Sequence, residues 1–229
     1  MPAYRSAAEA EVREVVVEHL RACRPRARII HEINVCQGGC RVDVMAVDRE
    51  EIVAVEIKSE RDKLDRLPNQ MAAMKSVAHH CVVALHEKFL VERETNVHAA
   101  HYERGGVHYR EGLPDEPLRL DGEITWVFPQ RQRARRGAYD WLGKWWSPDP
   151  AIWIPLPDSA LEMLWRDELA ALCAAQRLST DRRATRSSMM RSLRWMCSGK
   201  DLTRGICSAL RARDCIEADP PIREEERVA

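Results

Sequence analysis

Ala8, Val12, Val15, Val16 and Leu20 recur at helical spacing behind the S-x-x-E pair Ser6 and Glu9, which predicts an amphipathic helix over about 7–22. Arg24-Pro25-Arg26 ends it. The apolar period then changes from 3.6 to 2, predicting strands at about 28–36, 41–48 and 52–58. The turn Gln37-Gly38-Gly39-Cys40 joins the first two into an antiparallel meander. Pro68 suits the first turn of another helix, with Met71, Met74 and Ala78 as its buried stripe. Cys81-Val82-Val83-Ala84-Leu85 is a fourth strand, and its approach by a helical crossover implies parallel pairing. The order α-β-β-β-α-β describes a mixed sheet flanked by helices.

Beyond this core the pattern weakens from Glu87 to Gly122, with Val107-His108-Tyr109 as a short strand and Ile124-Thr125-Trp126-Val127-Phe128 as a clearer one. All seven tryptophans lie at position 126 or later, so composition shifts there. Asp158 heads a helix carrying Leu161, Leu164, Trp165, Leu169 and Leu172, and a further helical region over about 183–213 breaks near Ser198-Gly199. Trp165 and Trp195 are assigned to the core. The chain therefore divides into a core over 1–128, a Trp/Pro-rich basic connector over 129–157, a helical module over 158–213 for DNA binding or interaction, and an acidic, loose tail over 214–229.

Composition narrows the class. An apolar content of 45% and a charged content of 31% are those of an ordinary soluble protein. Net charge is zero, so any nucleic-acid contact must come from local patches. The N-terminus carries no signal-peptide core and no apolar run is long enough to span a membrane, so the expected location is the cytoplasm. Eight cysteines without metal-site spacing read as reduced thiols. His79-His80 read as ordinary boundary residues.

Two acidic residues stand where strands usually carry valine. With Arg49 and Glu50 as a two-residue hairpin loop, Asp48 faces Glu51 and Asp43 faces Glu56, with Lys58 two residues further along the same face. Opposed residues have Cβ atoms about 4.5–5.5 Å apart, where like charges repel. A divalent cation between them removes the penalty, and oxygen donors select Mg²⁺ or Mn²⁺. The competing reading is a cross-strand ion-pair network on a solvated face. It fits poorly, because Met45, Val47, Ile52 and Ala54 share that face. Pairing through Gly38-Gly39 sets Asn34 opposite Asp43 and leaves Glu32 one diagonal step away, as a second metal ligand or an exposed carboxylate. Glu14 and Glu18 on the first helix are weaker substitutes.

Val42-Asp43, Glu56-Ile57-Lys58 and Gln70, in this order of elements, resemble the PD-(D/E)XK nuclease superfamily. The likeness is to small bacterial and phage members with an E-I-K-S strand and an R-D-x-L-x-R-L-P-x-Q segment, here Glu56 to Gln70. It covers about 29–90, with a weaker block at Leu164-Trp165-Arg166-Asp167-Glu168-Leu169. The usual proline before the aspartate is Val42, and Met74 stands where a Q-x-x-x-Y motif carries tyrosine. The resemblance implies a restriction-endonuclease-like core with a helical C-terminal extension. It also implies Asp43, Glu56 and the Ile57 carbonyl as metal ligands, with Lys58 and Gln70 acting on the attacking water. The expected activity is Mg²⁺-dependent hydrolysis of DNA, in phage or bacterial DNA processing, repair or defence.

For DNA contact the basic residues Arg41, Arg61 and Arg66 lie near the site, and Arg131, Arg133, Arg135 and Arg136 form a second cluster. Arg182 to Arg213 form a third, for which a solvated face is nearly as good an account. A homodimer is compatible with the sequence. The alternative reading is a non-catalytic nucleic-acid-binding or phage accessory protein that retains the nuclease fold.

Overall fold

The structure is a computed structural model that describes residues 6–114, 124–130, 145–179, 181 and 183–223. Ser6 Oγ accepts from the Glu9 amide at 3.2 Å and starts α1 (Ala7–Cys23), whose Val12, Val16 and Leu20 are buried. The capping box is only half formed, because the Glu9 carboxylate turns to Arg13 instead of back to Ser6.

β1 (Arg28–Val35), β2 (Cys40–Val47) and β3 (Ile52–Lys58) form the antiparallel meander. α2 (Leu67–Lys75) crosses to β4 (His80–His86), which pairs parallel with β3 as expected. The polar segment that follows forms its own small antiparallel sheet from β5 (Val91–Glu94), β6 (Tyr102–Arg104) and β7 (Val107–Gly112). β8 (Ile124–Phe128) then pairs parallel with β4, and the main sheet runs β1-β2-β3-β4-β8. The fold is mixed α/β around a five-stranded mixed sheet.

Two apolar layers sandwich that sheet. On one face α1 packs on Val44, Ala46, Val53, Val55, Val82 and Ala84, joined by Trp126 and Trp145, stacked with centroids 5.1 Å apart. On the other, Met45, Val47, Ile52, Ala54, Val83 and Leu85 meet α2 and the C-terminal region. That region comprises a 3-10 segment (Asp158–Met163), α3 (Arg166–Ala175), α4 (Arg186–Met196) and α5 (Gly199–Ala212). The buried residues of this region thus share one continuous core with the sheet. Arg28 fastens them: it is fully buried and its Nη1 donates to the carbonyls of Leu210, Arg211 and Arg213 at the end of α5.

Three expectations for this region are corrected. The helix from Asp158 is a 3-10 segment followed by α3, and Trp165 is the residue before α3, 56% exposed. Trp195 is 87% exposed on α4. In both cases helical spacing located the stripe but not the side that becomes covered. The tail does not hang loose over its described part. The His31 amide donates to the Glu217 carbonyl and the Asp219 amide to the Ile29 carbonyl, so 217–219 pairs with the open edge of β1. No helix among the described residues is long and apolar enough to cross a membrane.

Candidate active site

The hairpin register is the expected one. Val44–Val55, Met45–Ala54, Ala46–Val53 and Val47–Ile52 are paired, and the Asp48 amide donates to the Glu51 carbonyl across Arg49-Glu50. Asp43 and Glu56 occupy the next position, where the ladder stops. There Asp43 Oδ2 accepts from the Ile57 amide at 2.8 Å, taking a backbone donor that the ladder has left. Every residue of β3 is buried, Glu56 and Lys58 included, so a solvated ion-pair face is excluded.

The β1–β2 register differs from expectation. Cys36–Gly38 form a 3-10 turn closed by the Gly39 amide on the Cys36 carbonyl, so the connection spans four residues. Asn34 therefore faces Arg41, and the pairs Ile33–Val42 and His31–Val44 bracket Glu32 and Asp43 as facing residues. Glu32 has φ +54°, a left-handed conformation that costs on the order of 1–3 kcal/mol for a residue with a Cβ. The alternation of both strands skips here. Positions facing the helical side run Ile30, Ile33 on β1 and Val42, Met45 on β2. Asp43 consequently does not share a face with Met45 and Val47. Both acids turn toward α1.

Arg13 of α1 meets them. It is 1% exposed, and its Nη2 lies 2.5 Å from Glu9 Oε1, 2.6 Å from Glu32 Oε1 and 3.8 Å from Asp43 Oδ1, while Nη1 donates to the Asp43 carbonyl at 2.7 Å. Glu9, Glu32 and Asp43 each offer an oxygen within 4.8 Å of the others. Burial lowers the Arg13 pKa and the carboxylates raise it, with a net upward direction, so the guanidinium keeps its charge. Burial raises the Asp43 pKa above the usual carboxylate range; the Ile57 amide and Arg13 oppose this and Glu32 adds to it. Burial and Arg13 together push His31 down to about 4. Sequence reasoning assigned Glu9 to the helix cap and passed over Arg13, although the two lie at i, i+4 on the helix. Glu14 and Glu18, the weaker candidates, are exposed.

Glu56 belongs to the other side of the sheet. Its Oε1 accepts from Lys58 Nζ at 2.7 Å and from Gln70 Nε2, while Gln70 Oε1 accepts from Lys58 Nζ at 2.8 Å. The turn after β3 is held by Asp62, whose Oδ2 accepts from both the amide and the hydroxyl of Ser59. Met74, one turn beyond Gln70, is fully buried and packs in the core instead of facing the site.

A cleft of about 550 Å³ gathers Asp43, Glu56, Ile57, Lys58 and Gln70, with Arg41, Arg61 and Arg66 on its walls. Glu32 does not line it; its Oε2 lies 2.7 Å from Arg41 Nε. The carboxylates that line the cleft are those of Glu9, Asp43, Glu56, Asp62 and Asp65, hard oxygens of the kind Mg²⁺ and Mn²⁺ prefer. Arg131, Arg133, Arg135, Arg136 and Arg182 lie outside the described residues.

The fold and site define a mixed α/β protein with a buried carboxylate–lysine–glutamine cluster at the end of its central strands. Among known families, the model described as bacteriophage P4 protein cII matches residues 3–99, a span that includes all the cleft residues and less than half of the chain. No curated protein and no solved structure matches the chain.

Proposed function

We propose that the chain is a Mg²⁺- or Mn²⁺-dependent deoxyribonuclease with a restriction-endonuclease-like core, acting in a phage or phage-derived setting. One observation carries this reading: the single cleft that brings Asp43, Glu56, Ile57, Lys58 and Gln70 together with three arginines. The similarity to a phage P4 family model supports the setting and says nothing of the chemistry.

In this reading Asp43, Glu56 and the Ile57 carbonyl hold the ion, which when bound polarises a phosphate and acidifies a water. Asp43 is kept in place by the Ile57 amide on Oδ2 and by Arg13, 3.8 Å from Oδ1. Lys58, 2.7 Å from Glu56, supplies a fixed positive charge where negative charge develops on the phosphorus. Gln70 fixes the Lys58 ammonium and is placed to hydrogen-bond the attacking water. Arg61 and Arg66 hold the strand through its phosphates without reading sequence.

The test is cleavage of single-stranded, duplex and branched DNA with Mg²⁺, with Mn²⁺ and with chelator. Asp43→Asn and Lys58→Ala are expected to lower metal-dependent cleavage by at least about 10²-fold while leaving the fold intact. Cleavage that persists in both variants would refute the mechanism. The internal pairing of Asp43 with Arg13 and of Glu56 with Lys58 also suits a second reading, a DNA-binding or accessory protein on the same fold. DNA binding by the wild type with no cleavage under any metal would select it.

A further inference from the structure

A buried arginine surrounded by three carboxylates is an unusual use of a helix position. Glu9, Glu32 and Asp43 bring their oxygens within 4.8 Å of one another, a spacing suited to a divalent ion, and the guanidinium of Arg13 sits among them. Its charge is locked inside: the side chain is 1% exposed, and its Nε is buried without a hydrogen-bond partner. Both terminal nitrogens of the same guanidinium are engaged, Nη2 by Glu9 and Glu32 and Nη1 by the Asp43 carbonyl. Glu32 adopts a left-handed backbone to face this position, so the surrounding chain bears strain to form the cluster. Glu9 and Asp43 are common to this cluster and to the cleft.

We propose that Arg13 is a built-in cation that fills a second divalent-ion position, so that the cleft is left with one ion-binding position, on the Glu56 side of Asp43. This rests on the nuclease reading for the cleft ion but not for the Arg13 position itself. A guanidinium carries one positive charge in a plane and cannot activate water. A divalent ion in its place would carry two charges and bind water. The chain has thereby built a fixed electrostatic support for Asp43, which needs no ion to remain in place, and has given up a second metal. Arg13 is a positioning residue: it touches Asp43, and nothing places it against substrate.

The experiment counts bound Mn²⁺ by equilibrium titration of the full chain, comparing wild type with Arg13→Gln and Arg13→Lys. Arg13→Gln is expected to bind one more Mn²⁺ per chain than wild type, and Arg13→Lys, which keeps the cation, the same number as wild type. Adding Glu32→Gln to Arg13→Gln is expected to abolish the gain. Equal stoichiometry in wild type and Arg13→Gln overturns the inference, as does an equal gain in the lysine variant or a gain that survives Glu32→Gln. If Arg13→Gln is unfolded without metal, Mn²⁺ is expected to refold it, followed by circular dichroism; failure to refold also overturns the inference. The two readings separate cleanly. A wild type that binds no Mn²⁺, with a variant that gains one, refutes the cleft ion and keeps the Arg13 position. A wild type that binds one, with no gain in the variant, does the reverse.

Discussion

The β2–β3 hairpin buries a carboxylate at each end, and the two are treated in opposite ways. At the turn, Glu51 lies 2.5 Å from Arg24 Nε and 3.2 Å from His80 Nε2, and accepts from the Ala151 amide at 2.8 Å. Burial raises its pKa, but the bonds from His80, Arg24 and Ala151 outweigh that and bring it down to about 2. At the open end, burial of Asp43 is not outweighed by the Ile57 amide and Arg13, and its pKa stays raised. Both residues are almost completely buried. The difference lies in the donors around them: Glu51 is fully neutralised by its neighbours, whereas Asp43 still gains from a further positive charge. A buried carboxylate of the first kind holds the fold together. One of the second kind is where a ligand has something to contribute.

The largest effect expected from this contrast is on stability. Glu51→Ala strands the Arg24 guanidinium, which is itself buried and also donates to the Pro148 carbonyl, and removes the acceptor of the Ala151 amide. Breaking one partner of a buried pair costs about 3–5 kcal/mol, and the Glu51 variant should show that loss in a urea unfolding curve. Asp43→Asn retains an oxygen for the Ile57 amide and sheds a charge that burial disfavours, so its unfolding free energy should move by less than about 1 kcal/mol. Equal losses in the two variants would dissolve the distinction.

Acid should separate the same two residues without mutation. Glu51 has a folded pKa of about 2 against an ordinary value of 4.5, so its stabilisation is complete above 4.5 and is lost as pH falls toward 2. That loss amounts to roughly 3 kcal/mol at most. Asp43 has the opposite sign: its raised pKa makes protonation favourable to the fold, so acid does not remove stability there. Protonation does remove a metal ligand. Mn²⁺ binding in the cleft should therefore fade above the usual carboxylate range, at a pH where circular dichroism still reports a folded chain. Loss of Mn²⁺ binding and of structure at the same pH would contradict it.

The same two ends show how far the sequence could be read. Loop length set the β2–β3 register and the helical crossover set the parallel pairing of β4 with β3, but the shared face expected for Asp43 and Glu56 did not form, because the alternation of β2 skips at Asp43. α1 was legible to within a residue, because period and turn chemistry are local. The skip at Glu32 and Asp43 was not, since it depends on a long-range partner, Arg13, and on a 3-10 turn that no two-residue count anticipates. The Glu51 hub escaped likewise: its partners come from the residue that caps α1, from β4 and from the segment near Ala151. β5 is exposed at all four positions, so it has no buried face to leave a period. Trp165 and Trp195 failed because an apolar residue at helical spacing does not say which side its neighbours will cover.

The smallest expected effect concerns the rim of the open end. Arg61 is 71% exposed and pairs with Glu60 only at 4.0 Å among the described residues, so its structural role is slight. Asp62 and Ser59, not Arg61, hold the turn in shape. Arg61→Ala should therefore leave unfolding unchanged within about 0.5 kcal/mol. If it meets a phosphate, the change should weaken DNA binding by a similar factor for every sequence and reduce the slope of log affinity against log salt by about 1. Binding measured at several salt concentrations on two unrelated duplexes reads both quantities. An unchanged salt slope would remove Arg61 from the contact surface, and a sequence-dependent loss would mean that it reads bases instead of gripping the backbone.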